Sequence, residues 1–369
     1  MASMALSLIG EVMNWDDAEA TDEYAFLRMM SSIKYDGYAD FRAGVRFVES
    51  LAVWLKQFEP AERRDAYLFF KSRLVYISPP ELQCLIELFF PEIVTPTLRA
   101  AVAQRLGIKP YEVWGTAEGS KAFKSALRRT LFVGMSDGSR TDMLRRANSG
   151  RISPEQVVPT LVIDDDKWAS LSEELVKDEG EDARFERVFL VEDFTASGTT
   201  FIRKKEGKWK GKLRKFERRA QEARDAWDSE WPFPLAEPYS LHIHHYVSSF
   251  QARNTLLTKI AEAEVEWGSD RSFSVVSVTE GLLLPADLKL SRPDDGRMLD
   301  LCDKYHDPLI DSRLAKHLAE SGIDSVRYGY GECALPVILD HNTPNNSISL
   351  LWAQTDSMEP LFRRRDRHG

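Results

Sequence analysis

The chain has 369 residues, with 49 Lys and Arg against 58 Asp and Glu, a formal charge of −9 and 43% hydrophobic residues. This is room for two or three domains with a sizeable core, and it excludes disordered, collagen-like and fibrous compositions. No apolar run can cross a bilayer, and three scattered cysteines (Cys84, Cys302, Cys333) exclude a disulfide framework and a Cys-rich zinc site.

Met1 to Gly10 carries no Lys or Arg ahead of its mildly apolar stretch and soon meets Asp16 and Asp17. A secretory leader is therefore not expected, and with the reduced cysteines this gives a cytoplasmic location and no membrane partner. From Phe41 to Phe58, apolar residues recur at three- and four-residue spacing, which predicts a helix. Glu59-Pro60 stops it, Ala61–Tyr76 repeats the pattern, and Pro79-Pro80 opens a further helix through Phe90. Residues 1–115 thus read as an N-terminal helical region. The join falls in the Gly- and Pro-bearing stretch Gly107–Gly119, and residues 116–369 form a second domain.

From about Thr130 short β-type runs alternate with helical ones, the pattern of βα units around a parallel sheet. The expected strands are Thr130–Val133, Val157–Ile163, Val188–Val191, Leu241–Val247, Phe273–Val278 and Leu335–Leu339. Helices are expected at Asp166–Lys177, Lys212–Trp227 and Ala252–Glu264. The fold class is α/β, doubly wound and mainly parallel.

One stretch carries chemistry. Val188-Phe189-Leu190-Val191 is followed by Glu192 and Asp193, then by Phe194 and the small, hydroxyl-rich loop Thr195-Ala196-Ser197-Gly198-Thr199-Thr200, which is expected to lead into a helix. In open α/β sheets, ligands sit beyond the carboxyl ends of the strands. Small residues let backbone approach a ligand, and free N–H groups at a helix start favour an anion. The loop therefore suits a phosphate. The two acids would repel one, so they suit ribose hydroxyls or a Mg²⁺ held with them, the metal falling to Asp193. Together they fit a ribose 5-phosphate; the bland alternative is a buried strand with a capped helix.

This segment resembles the signature of type I phosphoribosyltransferases, which use phosphoribosyl pyrophosphate (PRPP). One position departs: Ala196 stands where purine-salvage members carry an Asp that acts as base, so the resemblance implies ligand binding more strongly than purine transfer. It also implies a phosphoribosyltransferase-like fold and a pyrophosphate-touching loop after an early strand. Here that is Gly134 to Asp142, with Ser136, Asp137 and Arg140, a guanidinium suiting pyrophosphate oxygens. An ordinary turn is the competing account, and in the first reading Asp137 or Asp142 would instead touch the metal.

The C-terminal run Leu335–Leu339 empties into a loop with His341, Asn342, Thr343, Pro344, Asn345 and Asn346, followed by Trp352. Amides and an indole suit recognition and stacking of a base, while Asn and Pro also favour turns for backbone reasons alone. This Asn-Thr-Pro-Asn-Asn segment with its Trp resembles a branch of phosphoribosyltransferase-like proteins from bacterial conflict and defence operons, including some retrons. That resemblance, over roughly Thr130 to Trp352, implies a defence effector.

Arg203 to Arg219 holds ten basic residues against two acids, with Trp209 and Phe216 interleaved. Lys208, Lys210 and Lys212 would hold nucleic-acid backbone, or the run would close over a polyphosphate; a solvated basic face is the plain alternative. His242 and His244 share a strand face, which permits a metal but more simply gives a satisfied pair. Asp164 to Asp166 either join a Mg²⁺ site or cap the next helix. The expectation is an effector that binds PRPP or a ribonucleotide with Mg²⁺ and acts at the ribose anomeric carbon in antiviral defence, as a phosphoribosyltransferase or related N-glycosidic hydrolase. The alternatives are a catalytically inactive nucleotide sensor that controls a partner, and a nucleic-acid-associated module held by a reverse-transcribed RNA–DNA and an operon-encoded protein.

Overall fold

A computed structural model of the chain describes residues 2–38, 41, 46–268, 271–315, 318–319 and 322–364. Two compact units emerge, one of Met1–Leu82 with Pro285–Gly369 and one of Gln83–Leu284. These limits differ from the expected join at residue 115. In the first unit Phe362, near the C-terminus, meets the rings of Tyr35, Tyr38, Phe41, Phe47 and Tyr76. Trp54 Nε1 donates to Leu350 O at 2.8 Å in the same core. The apolar faces of the N-terminal helices are therefore covered by chain some 300 residues away, a pairing that local periodicity does not reveal.

The strands are β1 (Val75–Ile77), β2 (Thr130–Gly134), β3 (Val157–Val158), β4 (Phe185–Thr195), β5 (Arg203–Lys205), β6 (Lys208–Lys210), β7 (Leu235–Ser249), β8 (Phe273–Leu284) and β9 (Val337–Leu339). The expected helix Ala61–Tyr76 is shorter, Arg63–Arg73, because Val75–Ile77 pairs in parallel with β9. Two consequences follow. Tyr76 lies in a strand, and the expected strand at Leu335–Leu339 belongs to this two-stranded sheet and not to the central one. The helix expected over Phe41–Phe58 is seen as Phe47–Lys56; residues 42–45 lie outside the described residues.

The second unit is built on a five-stranded sheet in the order β3-β2-β4-β7-β8 with every neighbouring pair parallel. A parallel sheet must be covered on both faces, and its strands read as near-continuous apolar runs for that reason. Alternation sends Leu131, Val133, Val188, Leu190, Leu241 and Ile243 to one face. There they pack on helices Asp165–Glu179, Lys212–Asp225 and Phe250–Trp267 through Trp168, Leu213, Phe216 and Leu256. The opposite face presents Phe132, Phe189, His242 and His244, with Phe89 stacked on His244 at 4.3 Å and Phe90 against Phe132. Asp164 caps its helix by accepting from Lys167 N at 2.8 Å, the capping role expected for the Asp164–Asp166 group.

Candidate functional site

Strand order fixes where the sheet opens. From β2 the chain goes to β3 on one side, then crosses back to β4 on the other. The connections leaving β2 and β4 diverge, and a crevice at such a switch point is where open α/β sheets bind ligands. The two loops singled out in the sequence leave these two strands.

After β2, Ser139 Oγ accepts from Met135 N and Ser136 N, each at 3.0 Å. This folds Asp137–Ser139 into a single 3-10 turn. The turn aims Ser136 Oγ at Glu192 Oε1, to which it donates. It also brings Gly138 against Asp193: a Cβ on Gly138 would lie 2.3 Å from Asp193 Oδ2. Asp137 is exposed, while Arg140 starts the next helix in the left-handed region at φ 49°. The structure thus joins the β2 loop to both acids.

The acids themselves lie inside the strand. β4 runs on to Thr195, which still pairs with Ser248, so Glu192 and Asp193 are not beyond its end as expected. Alternation buries Glu192 on the helix-packed face beside its ladder partner His245 and turns Asp193 to the other. Lys212 Nζ pairs with Glu192 Oε2, so both carboxylate oxygens are engaged by protein groups. Burial, helped by the Asp193 charge, pushes the Glu192 carboxyl up to about 7 against the pull of Lys212 and Ser136. Asp193 is half-buried, its Oδ1 accepting from Phe194 N at 2.8 Å.

Beyond β4, Ala196 and Ser197 are buried and Thr200 is exposed. Gly198 sits at φ +74° with a virtual Cβ 2.9 Å from Ala252 O, so only glycine fits against helix Phe250–Trp267 there. Ser249 pins the turn by donating to Ala196 O at 2.5 Å while capping that helix at Ala252 N, 3.0 Å. Ser197 Oγ and Thr199 Oγ1 are hydrogen-bonded at 2.8 Å. The expected helix start does not follow. Instead the chain enters the hairpin β5–β6, and the helix begins only at Lys212. Its first N–H groups are spent on the turn, Lys212 N on Thr200 O at 3.2 Å and Leu213 N on Phe201 O at 3.1 Å.

The basic run is therefore a hairpin and a helix. Lys208 and Lys210 are exposed on β6, with Lys210 3.6 Å from Glu206. Lys212, grouped with them from sequence, instead turns to Glu192. The interleaved aromatics belong to the core: Trp209 and Phe216 are buried, and Trp209 Nε1 donates to Glu266.

Asn342, Asn345 and Trp352 lie in the first unit, whereas Glu192 and Asp193 lie in the second. Asn342 N and O bond the main chain of Leu339, and Asn345 O accepts from Tyr330 N at 2.7 Å. Trp352 is 7% exposed in the core and donates Nε1 to Ser347 O at 2.8 Å. The histidines are buried in β7, with His242 on Ser277 Oγ at 2.7 Å and His244 on Thr279 Oγ1 at 3.0 Å. Burial holds the imidazoles down, His242 to about 4, His244 and His245 to about 3.

As for Mg²⁺, no group of three or more His, Cys, Asp or Glu side chains among the described residues could hold a metal. Glu192 has no unengaged oxygen to offer, and Asp193 alone fits the sparse role in which Mg²⁺ takes one or two carboxylates and completes its shell with ligand oxygens and water. Nor is any described helix long and apolar enough to cross a membrane. Sequence reading missed Ser249 and His245 as parts of this region. Gly138, Arg203 and Gly211 lay within the loop and the basic run singled out in the sequence, without a role of their own.

A family model described as PRTase-CE matches residues 51–364. The chain belongs to this family and is a phosphoribosyltransferase-type protein. Searches of curated proteins and of solved structures found no match.

Proposed function

We propose that the chain binds PRPP or a ribonucleotide at the switch point between β2 and β4 and acts at the ribose anomeric carbon. The observation that carries this reading is the convergence of Ser136 and Gly138 on Glu192 and Asp193, in a member of a phosphoribosyltransferase-type family. Asp193 would receive the ribose hydroxyls, with Glu192 held behind it by Ser136 and Lys212, Ala196 to Thr200 would receive the 5-phosphate, and Ser136, Asp137 and Arg140 the pyrophosphate. Mg²⁺, when bound, supplies positive charge to the departing pyrophosphate, with Asp193 as its protein ligand. Loss of pyrophosphate leaves a cationic sugar, which the half-buried Asp193 carboxylate would stabilise electrostatically. A general base toward the acceptor would come from outside the loop, since Ala196 carries no titratable group.

A second reading, a nucleotide sensor without turnover, is favoured by the engagement of both Glu192 oxygens inside the fold. Calorimetry with PRPP, nucleotides and NAD, each with and without Mg²⁺, alongside a pyrophosphate-release assay, separates the two: turnover lost in Asp193→Asn supports the enzyme, and binding without turnover supports the sensor. The setting we propose, cytoplasmic antiviral defence with a reverse-transcribed RNA–DNA and an operon-encoded partner, rests on the resemblance of the Asn342–Asn346 segment and Trp352. Salt-dependent nucleic-acid binding that disappears in Lys208→Glu/Lys210→Glu would support the RNA–DNA partner.

A further inference from the structure

The turn at Ala196–Thr200 poses an electrostatic problem. A phosphate monoester there is a dianion beside two carboxylates, and the turn itself has hydroxyls but no cation. The expected remedy, a helix start pointing at the anion, is missing because the hairpin intervenes and the first helix N–H groups are bonded to Thr200 O and Phe201 O.

The hairpin supplies two cations instead, one from each end. Arg203 opens β5, and its Nη1 donates to Thr199 O at 3.2 Å. Its Nε is buried and meets no hydrogen-bond acceptor among the described residues. Lys212 follows β6. Gly211 makes the return possible at φ +120°, where a Cβ would lie 2.3 Å from Phe201 O. Lys212 thereby has its main chain on Thr200 and its ammonium on Glu192, so its side chain spans from the turn to the acid. An ammonium has three donors, and one carboxylate contact does not exhaust them.

We propose that Arg203 and Lys212 are the cationic half of the phosphate subsite, Lys212 bridging the ligand's 5-phosphate to Glu192 and Arg203 closing the turn over it. The ligand class is a pentose 5-phosphate, and the inference rests on the reading of the site given above. It removes Lys212 from the nucleic-acid set and narrows the expected closure of the basic run over a polyphosphate to Arg203 and Lys212.

The test is calorimetric titration of the full chain with ribose 5-phosphate and with PRPP, comparing wild type with Arg203→Met, Lys212→Met and, as a control on the same hairpin, Lys208→Met. Expected are a single site in the wild type, at least tenfold weaker binding in Arg203→Met and Lys212→Met, and no change in Lys208→Met. Unchanged affinity in both folded variants overturns the inference while leaving the pentose-phosphate site standing; failure of the wild type to bind either ligand removes that site and the inference together. A second measurement needs no variant. Ribose 5-phosphate should protect Arg203 of the wild type from phenylglyoxal several-fold, with exposed Arg218 unprotected, and equal labelling with and without ligand overturns the assignment.

Discussion

The hydroxyl of Ser136 donates to the buried carboxylate of Glu192, tying the loop after β2 to the far end of β4. One hydrogen bond thus spans the place where the sheet changes winding direction. It joins the loop expected to meet pyrophosphate to the acid expected to meet ribose.

Removing that donor should cost stability in a pH-dependent way. Hydrogen bonds to a charged acceptor are worth about 1.5–3 kcal/mol. The Glu192 carboxyl titrates near 7 in the fold, so Ser136 serves the charged form above that pH and the protonated form below it. Ser136→Ala should therefore lose more stability at pH 8 than at pH 5 in urea unfolding. An equal loss at both would show that the bond does not discriminate between the two forms.

Gly138→Ala tests the approach of the β2 turn to Asp193. A Cβ would sit 2.3 Å from Asp193 Oδ2, and the short Asp side chain cannot swing far. The expected result is a ligand affinity at least tenfold weaker with the fold retained, read by calorimetry and circular dichroism. Unaltered affinity would place Asp193 outside the binding set.

Gly211→Ala and Gly207→Ala make a matched pair, since both glycines have positive φ. A Cβ at Gly207 meets nothing within 4 Å, whereas at Gly211 it meets Phe201 O at 2.3 Å. Gly207→Ala should cost about 1–2 kcal/mol for the left-handed backbone alone. Gly211→Ala should cost clearly more, because Phe201 must shift and carry the turn with it. Thermal denaturation ranks the two, and equal costs would show that the close approach of Gly211 to Phe201 does not hold the turn.

The buried histidines set an acid limit. His242 and His244 have pKa values lowered to about 4 and about 3, against about 6.5 in the unfolded chain. Between these values the unfolded state binds more protons, so stability falls as pH drops below about 6.5, by up to about 1.4 kcal/mol per pH unit for each histidine. His244→Phe should flatten the stability profile between pH 6 and 4 in chemical denaturation. An unchanged slope would mean that His244 is protonated within the fold.

Much of the second unit was legible because its strands obey a simple rule. Val188–Val191 and Leu241–Val247 read as apolar runs since both faces of a parallel sheet are covered, and the acid pair with its small-residue turn stood out against them. The hairpin was not legible. Gly207 and Gly211 disfavour a helix there, but nothing local says that Lys204-Lys205 and Lys208-Trp209 pair across Glu206-Gly207. The same blindness to long-range pairing hid β1, three residues whose partner is Val337–Leu339, and misjudged Lys212, whose charge is read by a carboxylate twenty residues earlier. Trp352 and the Asn loop looked like recognition elements because their polar atoms are conspicuous in sequence, yet in the fold the Trp352 indole and the Asn346 amide serve the main chain.

A phosphorylated pentose at the switch point beyond β2 and β4 is the proposal on which the other assignments depend. It is tested most directly by titrating the full chain with PRPP in the presence of Mg²⁺, wild type against Asp193→Asn. Expected are one molecule bound per chain in the wild type and affinity at least tenfold weaker in the variant. Equal binding by the two proteins, or none by the wild type, would contradict it.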